Sequence, residues 1–228
     1  MTGPDEEKRL AALAAIEEVE DSMLLGLGTG STVAFALSAL AERVRTGMRV
    51  RAVATSVQTW RAAQALGIEM LDFATFGSVD LCIDGVDEID PVFRAIKGAG
   101  GALLREKIVA EAAVRMIAIA DSGKPVTQLG QVPVPVEVLP FGVQFVADRI
   151  AALGGAVETR QVAGGPYLTD QGNVVLDCRF PQPLELEGLA DALAAIPGVM
   201  GHGLFLREVD ALYVARGTLV RRYERSGS

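Results

Sequence analysis

Short apolar runs alternate with longer stretches that favour helix through the first 125 residues of the chain. Runs such as Met23-Leu-Leu-Gly-Leu27 and Met116-Ile-Ala-Ile-Ala120 are apolar throughout rather than at every second position. Strands with this pattern are buried on both faces, which is typical of a parallel sheet covered by helices. The sequence therefore predicts an α/β fold, with a mostly parallel sheet and helices on both faces.

The same pattern places the individual elements of this first region. We predict helices over residues 5–20, 31–46, 57–66 and 102–114. We predict the intervening strands over residues 22–27, 49–54, 69–72, 79–83 and 115–120.

The sequence changes character after Asp121. Residues 132–140 read VPVPVEVLP, an extended and proline-punctuated run that suits an edge strand or a linker. The elements predicted after it are a helix (142–153), two strands (156–160 and 173–177), a second helix (184–195) and a strand (199–206). This β-α-β-β-α-β order fits a small ferredoxin-like α+β unit.

The C-terminal residues complete the predicted organisation. Residues 211–215 predict a further strand that could rejoin the first sheet, and the polar tail over 221–228 is expected to be frayed. We therefore predict one domain from residues 1–130 and 207–228, and a smaller α+β domain from residues 131–206.

Charge and composition exclude several classes of function. The 21 basic and 29 acidic residues give a net charge of −8, which argues against nucleic acid as a partner, because phosphate backbones favour clustered Lys and Arg. The single histidine and the two isolated cysteines argue against a zinc site or a catalytic histidine. Only four of the basic residues are lysines, and each is a candidate for a role that arginine could not fill; they are Lys8, Lys97, Lys107 and Lys124.

One uncharged stretch is long enough to cross a bilayer. It runs for twenty residues from Ser22 to Ala41, but its centre is rich in glycine and hydroxyl side chains. A buried strand, a tight loop and a helix explain it better than a membrane helix. The charged N-terminus also has no signal-peptide core, so we expect a soluble, cytoplasmic protein without a membrane partner.

A glycine-rich loop, Gly26-Leu-Gly-Thr-Gly-Ser-Thr32, lies between a predicted buried strand and a predicted helix. Its glycines let the backbone approach a ligand, and the free N–H groups at a helix start attract anions such as phosphate. The loop has neither the Walker ending nor the full dinucleotide fingerprint. An ordinary glycine turn with Ser31 as the helix N-cap is an equally good interpretation of this loop alone.

Three carboxylates follow the buried strand at 79–83, in the segment Asp84-Gly-Val-Asp-Glu-Ile89. In open α/β sheets, ligands bind beyond the carboxyl ends of the strands, and crowded acids have raised pKa values that suit proton transfer. The alternatives are an Asx turn or a divalent-metal site. We favour a functional site, because a solvated turn would not need such an apolar strand leading into it.

Two further segments bring lysines towards the same edge of the sheet. Lys97 opens a second glycine-rich loop that runs into a helix containing Glu106, and Lys124 follows the last strand of the first region. Taken alone, Glu106 is better explained as a solvated helix residue paired with an arginine, and residues 121–124 as a surface turn. Ala99, inside the glycine-rich loop, indicates that its position does not require a positive φ.

Taken together, these segments resemble the ribose-5-phosphate isomerase type A family. The resemblance rests on Gly28-Thr-Gly-Ser-Thr32, Thr55-Ser-Val-Gln-Thr59, Asp84-Gly-Val-Asp-Glu88, Lys97-Gly-Ala-Gly-Gly-Ala-Leu-Leu-Arg-Glu-Lys107 and Ser122-Gly-Lys124. Pro135-Val-Glu-Val138, Gly172-Asn-Val-Val-Leu-Asp177 and Ile196-Pro-Gly-Val199 extend it over nearly the whole chain. Val86 and Ala99 are mild departures, where the family usually has Ala and Gly.

The resemblance implies interconversion of D-ribose 5-phosphate and D-ribulose 5-phosphate through an enediolate, without a metal or cofactor, in the non-oxidative branch of the pentose phosphate pathway. It implies Glu106 as the base that moves a proton between carbons 2 and 1, while Lys97, Asp84 and Asp87 handle the sugar oxygens. The implied substrate-binding residues, with the phosphate held by the first four and the last two, are Thr29, Gly30, Ser31, Thr32, Asp84, Gly85, Val86, Asp87, Lys97, Gly98, Ala99, Gly100, Lys124 and Lys8. The implied architecture is a Rossmann-like domain with a smaller α+β domain, assembled as a homodimer or a dimer of dimers.

Three other functions remain open at this point. An amino-sugar-phosphate deaminase or CoA transferase would share the architecture, but deaminases commonly use a histidine, and His202 lies outside the candidate loops. A non-catalytic sugar-phosphate sensor would carry a basic DNA-binding segment, which the sequence lacks. An enzyme that forms a Schiff base on Lys97 would be trapped by borohydride in the presence of substrate.

Overall fold

A computed structural model describes residues 3–225 of the chain. Six α-helices are present in that range: α1 (Pro4–Ile16), α2 (Ser31–Arg45), α3 (Val57–Ala65), α4 (Leu103–Glu111), α5 (Val143–Ala152) and α6 (Leu186–Ala194). Two short 3-10 helices lie at Phe73–Thr75 and Pro140–Gly142. Within residues 3–225, none of the helices combines the length and the apolar character that crossing a membrane requires.

The largest sheet has seven strands: β1 (Leu24–Leu27), β2 (Arg51–Ala54), β3 (Glu69–Met70), β4 (Val79–Gly85), β7 (Ala113–Asp121), β15 (Ala211–Arg216) and β16 (Leu219–Glu224). Their spatial order is β16-β15-β7-β4-β1-β2-β3, and every neighbouring pair is parallel except β15 with β16. The predicted mostly parallel sheet is confirmed, and residues 211–215 do rejoin it.

Helices cover both faces of this sheet, as predicted. Helices α1, α2 and α3 pack on one face, where Ile16 and Leu40 meet strand residues such as Leu27. Helix α4 packs on the other face, where Val109 lies in the same buried cluster as Cys82. This two-sided burial is the reason why runs such as Leu24–Leu27 and residues 116–120 are apolar at every position.

A second sheet of four strands lies in the later part of the chain. Its strands are β8 (Val134–Val138), β9 (Ala156–Thr159), β12 (Val174–Arg179) and β13 (Val199–His202), in the order β13-β8-β12-β9 and antiparallel throughout. A short hairpin of β10 (Gln161–Val162) and β11 (Gly165–Pro166) joins β9 to β12. With α5 and α6 this gives the predicted ferredoxin-like order.

The proline-punctuated run is neither an edge strand nor a linker, so that prediction is wrong. Strand β8 lies inside the second sheet, between β13 and β12. Pro135 is tolerated there because it lies beyond the paired part of β13, and its carbonyl accepts from the Gly203 amide at 2.7 Å. Val134, Val136 and Val138 are buried in the core of the sheet, which accounts for the apolar residues between the prolines.

The C-terminal tail is the second correction. Residues 221–224 of the tail predicted to be frayed instead belong to β16 (Leu219–Glu224), which pairs with the whole length of β15. Arg115 of β7 also donates two hydrogen bonds to Glu224, which ties β16 to β7 across the intervening strand β15. Residues 226–228 of the predicted tail lie outside the described residues.

The predicted boundaries are wrong at three places. Helix α1 ends at Ile16 rather than at 20, and α4 ends at Glu111 because Ala113 already pairs with Val79 in the main sheet. The strand expected over 199–206 is divided by Gly203 into β13 and β14 (Leu204–Phe205). Strand β14 joins β6 (Ala95–Ile96) and β5 (Glu88–Ile89) in a three-stranded sheet that the sequence did not reveal.

Candidate active site

Three neighbouring strands of the main sheet end at the same edge and carry the candidate loops. Strand β1 leads into the loop at 28–32, β4 ends with Asp84 and Gly85, and β7 leads into residues 122–124. They enclose a cavity of about 220 Å³. Its lining residues are Lys8, Thr29, Gly30, Ser31, Thr32, Gly85, Val86, Asp87, Lys97, Gly98, Ala99, Gly100, Glu106 and Lys124. The fold therefore brings all these candidate residues together, and Asp84 lies beside them against Lys97.

Lys97 lies between two buried carboxylates. Its Nζ is 2.9 Å from Asp84 Oδ2 and 3.4 Å from Glu106 Oε2, and it donates to the carbonyl of Gly85. The three side chains are only 2%, 1% and 4% exposed. Glu106 is thus not a solvated helix residue paired with an arginine, which was the better interpretation of that residue taken alone.

Burial sets the protonation of this group. Removal from water raises the pKa of Glu106 to about 8, against the opposing attraction of Lys97. Burial likewise raises the pKa of Asp84, again partly opposed by Lys97. For Lys97 burial acts to lower the pKa, but attraction by Asp84 and Glu106 prevails and raises it. Lys97 therefore stays charged, while Glu106 can hold or release a proton near neutral pH.

Gly28 fixes the first loop against this buried group. A Cβ atom at Gly28 would lie 1.9 Å from Asp84 Oδ1, so only glycine fits. The Thr29 amide donates to the same oxygen at 3.1 Å, and the Thr29 hydroxyl is hydrogen bonded to that of Thr55 at 2.8 Å. Thr59 donates to the Gly28 carbonyl at 2.8 Å. The loop is thus held by Asp84 at the end of β4, by Thr55 directly after β2 and by Thr59 on α3.

Ser31 is not the N-cap of α2. The N-cap is Gly30, with φ at +120°, and Ser31 is the first residue of the helix with no capping hydrogen bond from its side chain. Ser31 and Thr32 instead line the cavity. The first turn of α2 therefore presents its amide N–H groups and two hydroxyl residues to the site.

The segment after Asp84 divides its carboxylates between two tasks. Asp87 lines the cavity, and its Oδ2 accepts from the Ala99 amide at 2.9 Å. Glu88 points elsewhere: it is buried, and its two oxygens accept from the amides of Gly130 and Val132 at 2.7 Å each. The expectation that three carboxylates meet at the site is therefore wrong for Glu88. In residues 3–225 no group of three or more His, Cys, Asp or Glu side chains could hold a metal ion.

The glycine-rich loop after Lys97 depends on the three-stranded sheet. The Lys97 amide donates to the Gly203 carbonyl at 2.9 Å, and a Cβ at Gly203 would lie 2.2 Å from the Lys97 carbonyl oxygen. Ala99 does not have a positive φ, as its residue type indicated. The sequence did not reveal Gly203, because nothing in a lone glycine marks a contact with a residue more than a hundred positions away.

The lysines differ in their surroundings. Lys8 and Lys124 line the cavity, and Lys8 also pairs with Asp5 at 3.1 Å. Lys107 has a structural role, because it pairs with Glu208 at 2.7 Å and lies 3.9 Å from the ring centroid of Phe205. His202 does not line the cavity, and burial lowers its pKa to about 4.

Glu7 is a residue that sequence reasoning missed. Its carboxylate accepts from the amides of Ser122 and Gly217, at 2.9 and 2.7 Å. These bonds fasten α1, which carries Lys8, to the loop that carries Lys124. A glutamate in the first turn of a charged helix gives no sign of this role.

Comparison with known proteins identifies the family. The sequence pattern of the family described as ribose 5-phosphate isomerase A (phosphoriboisomerase A) matches residues 51–218. A ribose-5-phosphate isomerase A from Sphingopyxis alaskensis is 52% identical over 217 residues, which cover 94% of each chain. The chain belongs to the ribose-5-phosphate isomerase A family. A second ribose-5-phosphate isomerase A, from Gloeobacter violaceus, is 51% identical over 213 residues, with 91% of each chain covered.

Solved structures agree with this assignment. A D-ribose-5-phosphate isomerase in complex with phospho-erythronic acid has a TM-score of 0.95 at 34% identity, covering 98% of this chain and 100% of its own. The ribose 5-phosphate isomerase A from Methanocaldococcus jannaschii has a TM-score of 0.92 at 32% identity, covering 96% and 98%. As a family member the chain is an aldose–ketose isomerase of D-ribose 5-phosphate and D-ribulose 5-phosphate. The predicted family, fold class and activity are confirmed, and the deaminase, transferase and sensor alternatives are set aside.

Proposed function

We propose that Glu106 is the base of the isomerisation and that Lys97, Asp84 and Asp87 handle the sugar oxygens. Glu106 takes the proton from carbon 2 of the open-chain aldose and returns it to carbon 1, by way of an enediolate. The raised pKa of the buried carboxyl makes it a stronger base than an exposed one. One observation carries the proposal: Glu106 contacts the ammonium group of Lys97, and both residues line the cavity.

Lys97 supplies the positive charge that the reaction needs. As carbon 2 loses its proton, negative charge grows on the neighbouring sugar oxygens, and a fixed ammonium group in a water-poor site stabilises it. Asp84 keeps Lys97 charged and in place, because its Oδ2 lies 2.9 Å from Nζ. Asp87 lines the same cavity and can bind a sugar hydroxyl.

The phosphate group is proposed to bind at the start of α2. Gly30, Ser31 and Thr32 provide amide N–H groups at a helix N-terminus, where the helix dipole favours an anion. Thr29, whose own amide is bonded to Asp84, lines the cavity beside them. Lys8 and Lys124 add positive charge on the same cavity. The remaining lining residues, Gly85, Val86, Gly98, Ala99 and Gly100, form the wall along the sugar chain in this proposal.

Activity should depend on pH through Glu106, and this dependence tests the proposal. kcat/KM for ribose 5-phosphate should rise as the pH rises through the pKa of Glu106, because only the ionised carboxylate can accept a proton. Burial raises that pKa to about 8, so the acid limb should lie well above the ordinary value of 4.5. The measurement is the initial rate of the purified protein across pH. The buffer contains EDTA, because in this proposal Lys97 provides the positive charge and no metal ion is needed. Absence of isomerisation, or an acid limb at 4.5, would contradict it.

Replacing Lys124 with alanine should raise the KM for ribose 5-phosphate and leave kcat nearly unchanged. A charge that binds the phosphate acts on the substrate and the transition state alike, so its loss weakens binding without slowing the chemical step. Losing one such charge-assisted contact should raise KM about 10-fold, equivalent to about 1.4 kcal/mol. Lys124→Arg, which keeps the charge, is the matched control in steady-state assays. An unchanged KM in Lys124→Ala would place Lys124 outside the binding site.

Assembly, location and domain limits follow the family resemblance. We propose a homodimer or a dimer of dimers in the cytoplasm, acting in the non-oxidative branch of the pentose phosphate pathway, with the sugar phosphates as its small-molecule partners. We also propose that residues 1–130 and 207–228 form the Rossmann-like domain and residues 131–206 the smaller one. One buried cluster is formed mainly by residues in the range 131–206, with Ile96 and Leu129 joining it from the other domain, which supports that division. Sedimentation analysis measures the assembly.

A further inference from the structure

The carbonyl groups of the loop at 98–100 are held by two residues from the segment between β9 and β12. Arg160, which directly follows β9, donates from Nη1 to the carbonyls of Gly98 and Ala99 at 2.9 and 3.0 Å. Tyr167, which directly follows β11, donates to the Gly100 carbonyl at 3.3 Å. Three successive carbonyls of the loop that lines the cavity are therefore bound by groups that are not in the cavity lining.

Arg160 is itself held in one orientation. Its Nε donates to Asp177 Oδ2 at 2.9 Å and its Nη2 donates to Oδ1, so the guanidinium is engaged in a two-point pair with that carboxylate. The backbone carbonyl of Arg160 also accepts from the Tyr167 amide at 2.8 Å. Asp177 on β12 thus fixes the planar group whose remaining edge reaches the glycine-rich loop.

The fixed carbonyls determine where the loop amides point. In a trans peptide the carbonyl of one residue and the N–H of the next point in opposite directions. With the Gly98 carbonyl on Arg160, the Ala99 N–H faces the other way and donates to Asp87 at 2.9 Å. With the Ala99 carbonyl on Arg160, the Gly100 N–H faces away from Arg160 too. Within residues 3–225 this N–H has no acceptor, and Gly100 lines the cavity.

We propose that Arg160, braced by Asp177, is a positioning residue of the isomerase, which aims the Gly100 N–H at the sugar oxygen that becomes negative in the enediolate. The same guanidinium also fixes the position of the Asp87 carboxylate. Arg160 holds the carbonyl of Gly98, and the N–H of the same peptide, that of Ala99, donates to Asp87. The inference rests on the proposed function of the cavity. It assigns to the smaller sheet a part in catalysis, although Arg160 does not touch substrate.

Arginine is the residue type that this task requires. It offers donors on two edges of one rigid plane, so it can hold a carboxylate and two carbonyls at once. Lysine can reach one of these groups but cannot fix their relative orientation. Arg160→Lys should therefore recover part of what Arg160→Met loses, since Met keeps only the apolar stem.

The test compares Arg160→Met, Arg160→Lys and Asp177→Asn with the wild type by kcat, KM and thermal unfolding. A well-placed oxyanion donor contributes about 10²- to 10³-fold to kcat, and misplacing it should lower kcat of Arg160→Met by about 10- to 100-fold. KM should change by less than about 3-fold, since the bond strengthens only as charge develops. Arg160→Lys and Asp177→Asn should fall between Arg160→Met and the wild type.

Arg179→Met is the matched control. Arg179 lies on β12, the strand that carries Asp177. It is exposed, and its side chain donates to the carbonyl of Gln131, which does not line the cavity. This variant should keep wild-type kcat and KM. If Arg160→Met unfolds, Asp177→Asn and Arg160→Lys carry the test. Inactive wild-type protein would overturn the proposed function itself, whereas an active wild type with unchanged kcat in the folded variants would overturn only the role of Arg160.

Discussion

Glu106→Gln should lower kcat about 10²- to 10⁴-fold, which is the usual contribution of a general base. The amide keeps the shape of the side chain but cannot accept the proton from carbon 2. The protein should stay folded, because an isosteric change leaves no cavity. A neutral amide also costs less to bury than an ionised carboxylate, and the Glu106 side chain is only 4% exposed. Ribose 5-phosphate should still bind, since Lys97 and the phosphate loop are intact.

Hydrogen exchange gives the sharpest readout for this variant. Wild-type protein should exchange the carbon 2 hydrogen of the substrate with deuterated solvent, and Glu106→Gln should not. Glu111→Gln is the matched control, because Glu111 is an exposed residue at the end of the same helix. A folded Glu106→Gln protein with near-normal kcat would remove Glu106 from the mechanism and leave Asp84 or Asp87 as the base.

Lys97→Met should lower both activity and stability. Removing one partner of a buried ion pair leaves the other uncompensated and destabilises a protein by about 3–5 kcal/mol. Here two buried carboxylates, Asp84 and Glu106, would lose the ammonium group between them. kcat should fall at least about 10²-fold, as it does when a stabilising group for a developing oxyanion is lost.

The pH dependence of unfolding distinguishes loss of the buried ion pairs from poor packing of the Met side chain. Without Lys97 the two carboxylates ionise at still higher pH, so their burial costs more as the pH rises. Urea unfolding of Lys97→Met should therefore show a smaller loss of stability in mildly acidic than in mildly alkaline buffer. The double variant Asp84→Asn with Lys97→Met should regain stability but not activity. A Lys97→Met protein as stable as the wild type at both pH values would contradict the proposed ion pairs.

The main sheet was predictable because burial on both faces makes the central runs of its inner strands, such as Leu24–Leu27 and residues 116–120, apolar throughout. The second sheet was predictable in order but not in position, since the prolines of β8 suggested an edge. Strands β5, β6 and β14 have two residues each, and two residues carry no periodicity. Strand β16 is mostly exposed and charged, so only its pairing with β15 and the bonds of Glu224 reveal it.

The candidate site was predictable where its residues lie in glycine-rich loops at strand ends. Glu106 was different, because a glutamate within a helix has no local signature, and only the family resemblance pointed to it. Glu88, Glu7 and Arg160 show the opposite limit. Each is a charged residue whose partners are distant in sequence, and its role depends on contacts that a single sequence does not record.

The bond between the Lys97 amide and the Gly203 carbonyl has a consequence for synthesis of the chain. Proteins emerge from the ribosome N-terminal end first, at about 5–20 residues per second, and begin to fold as they emerge. The carboxylates of the site are made early, but the residue that anchors Lys97 comes about a hundred positions later, followed by the two strands that complete the main sheet. A nascent chain should therefore have no working site until almost all of it has left the ribosome, so catalysis begins only when translation is nearly finished.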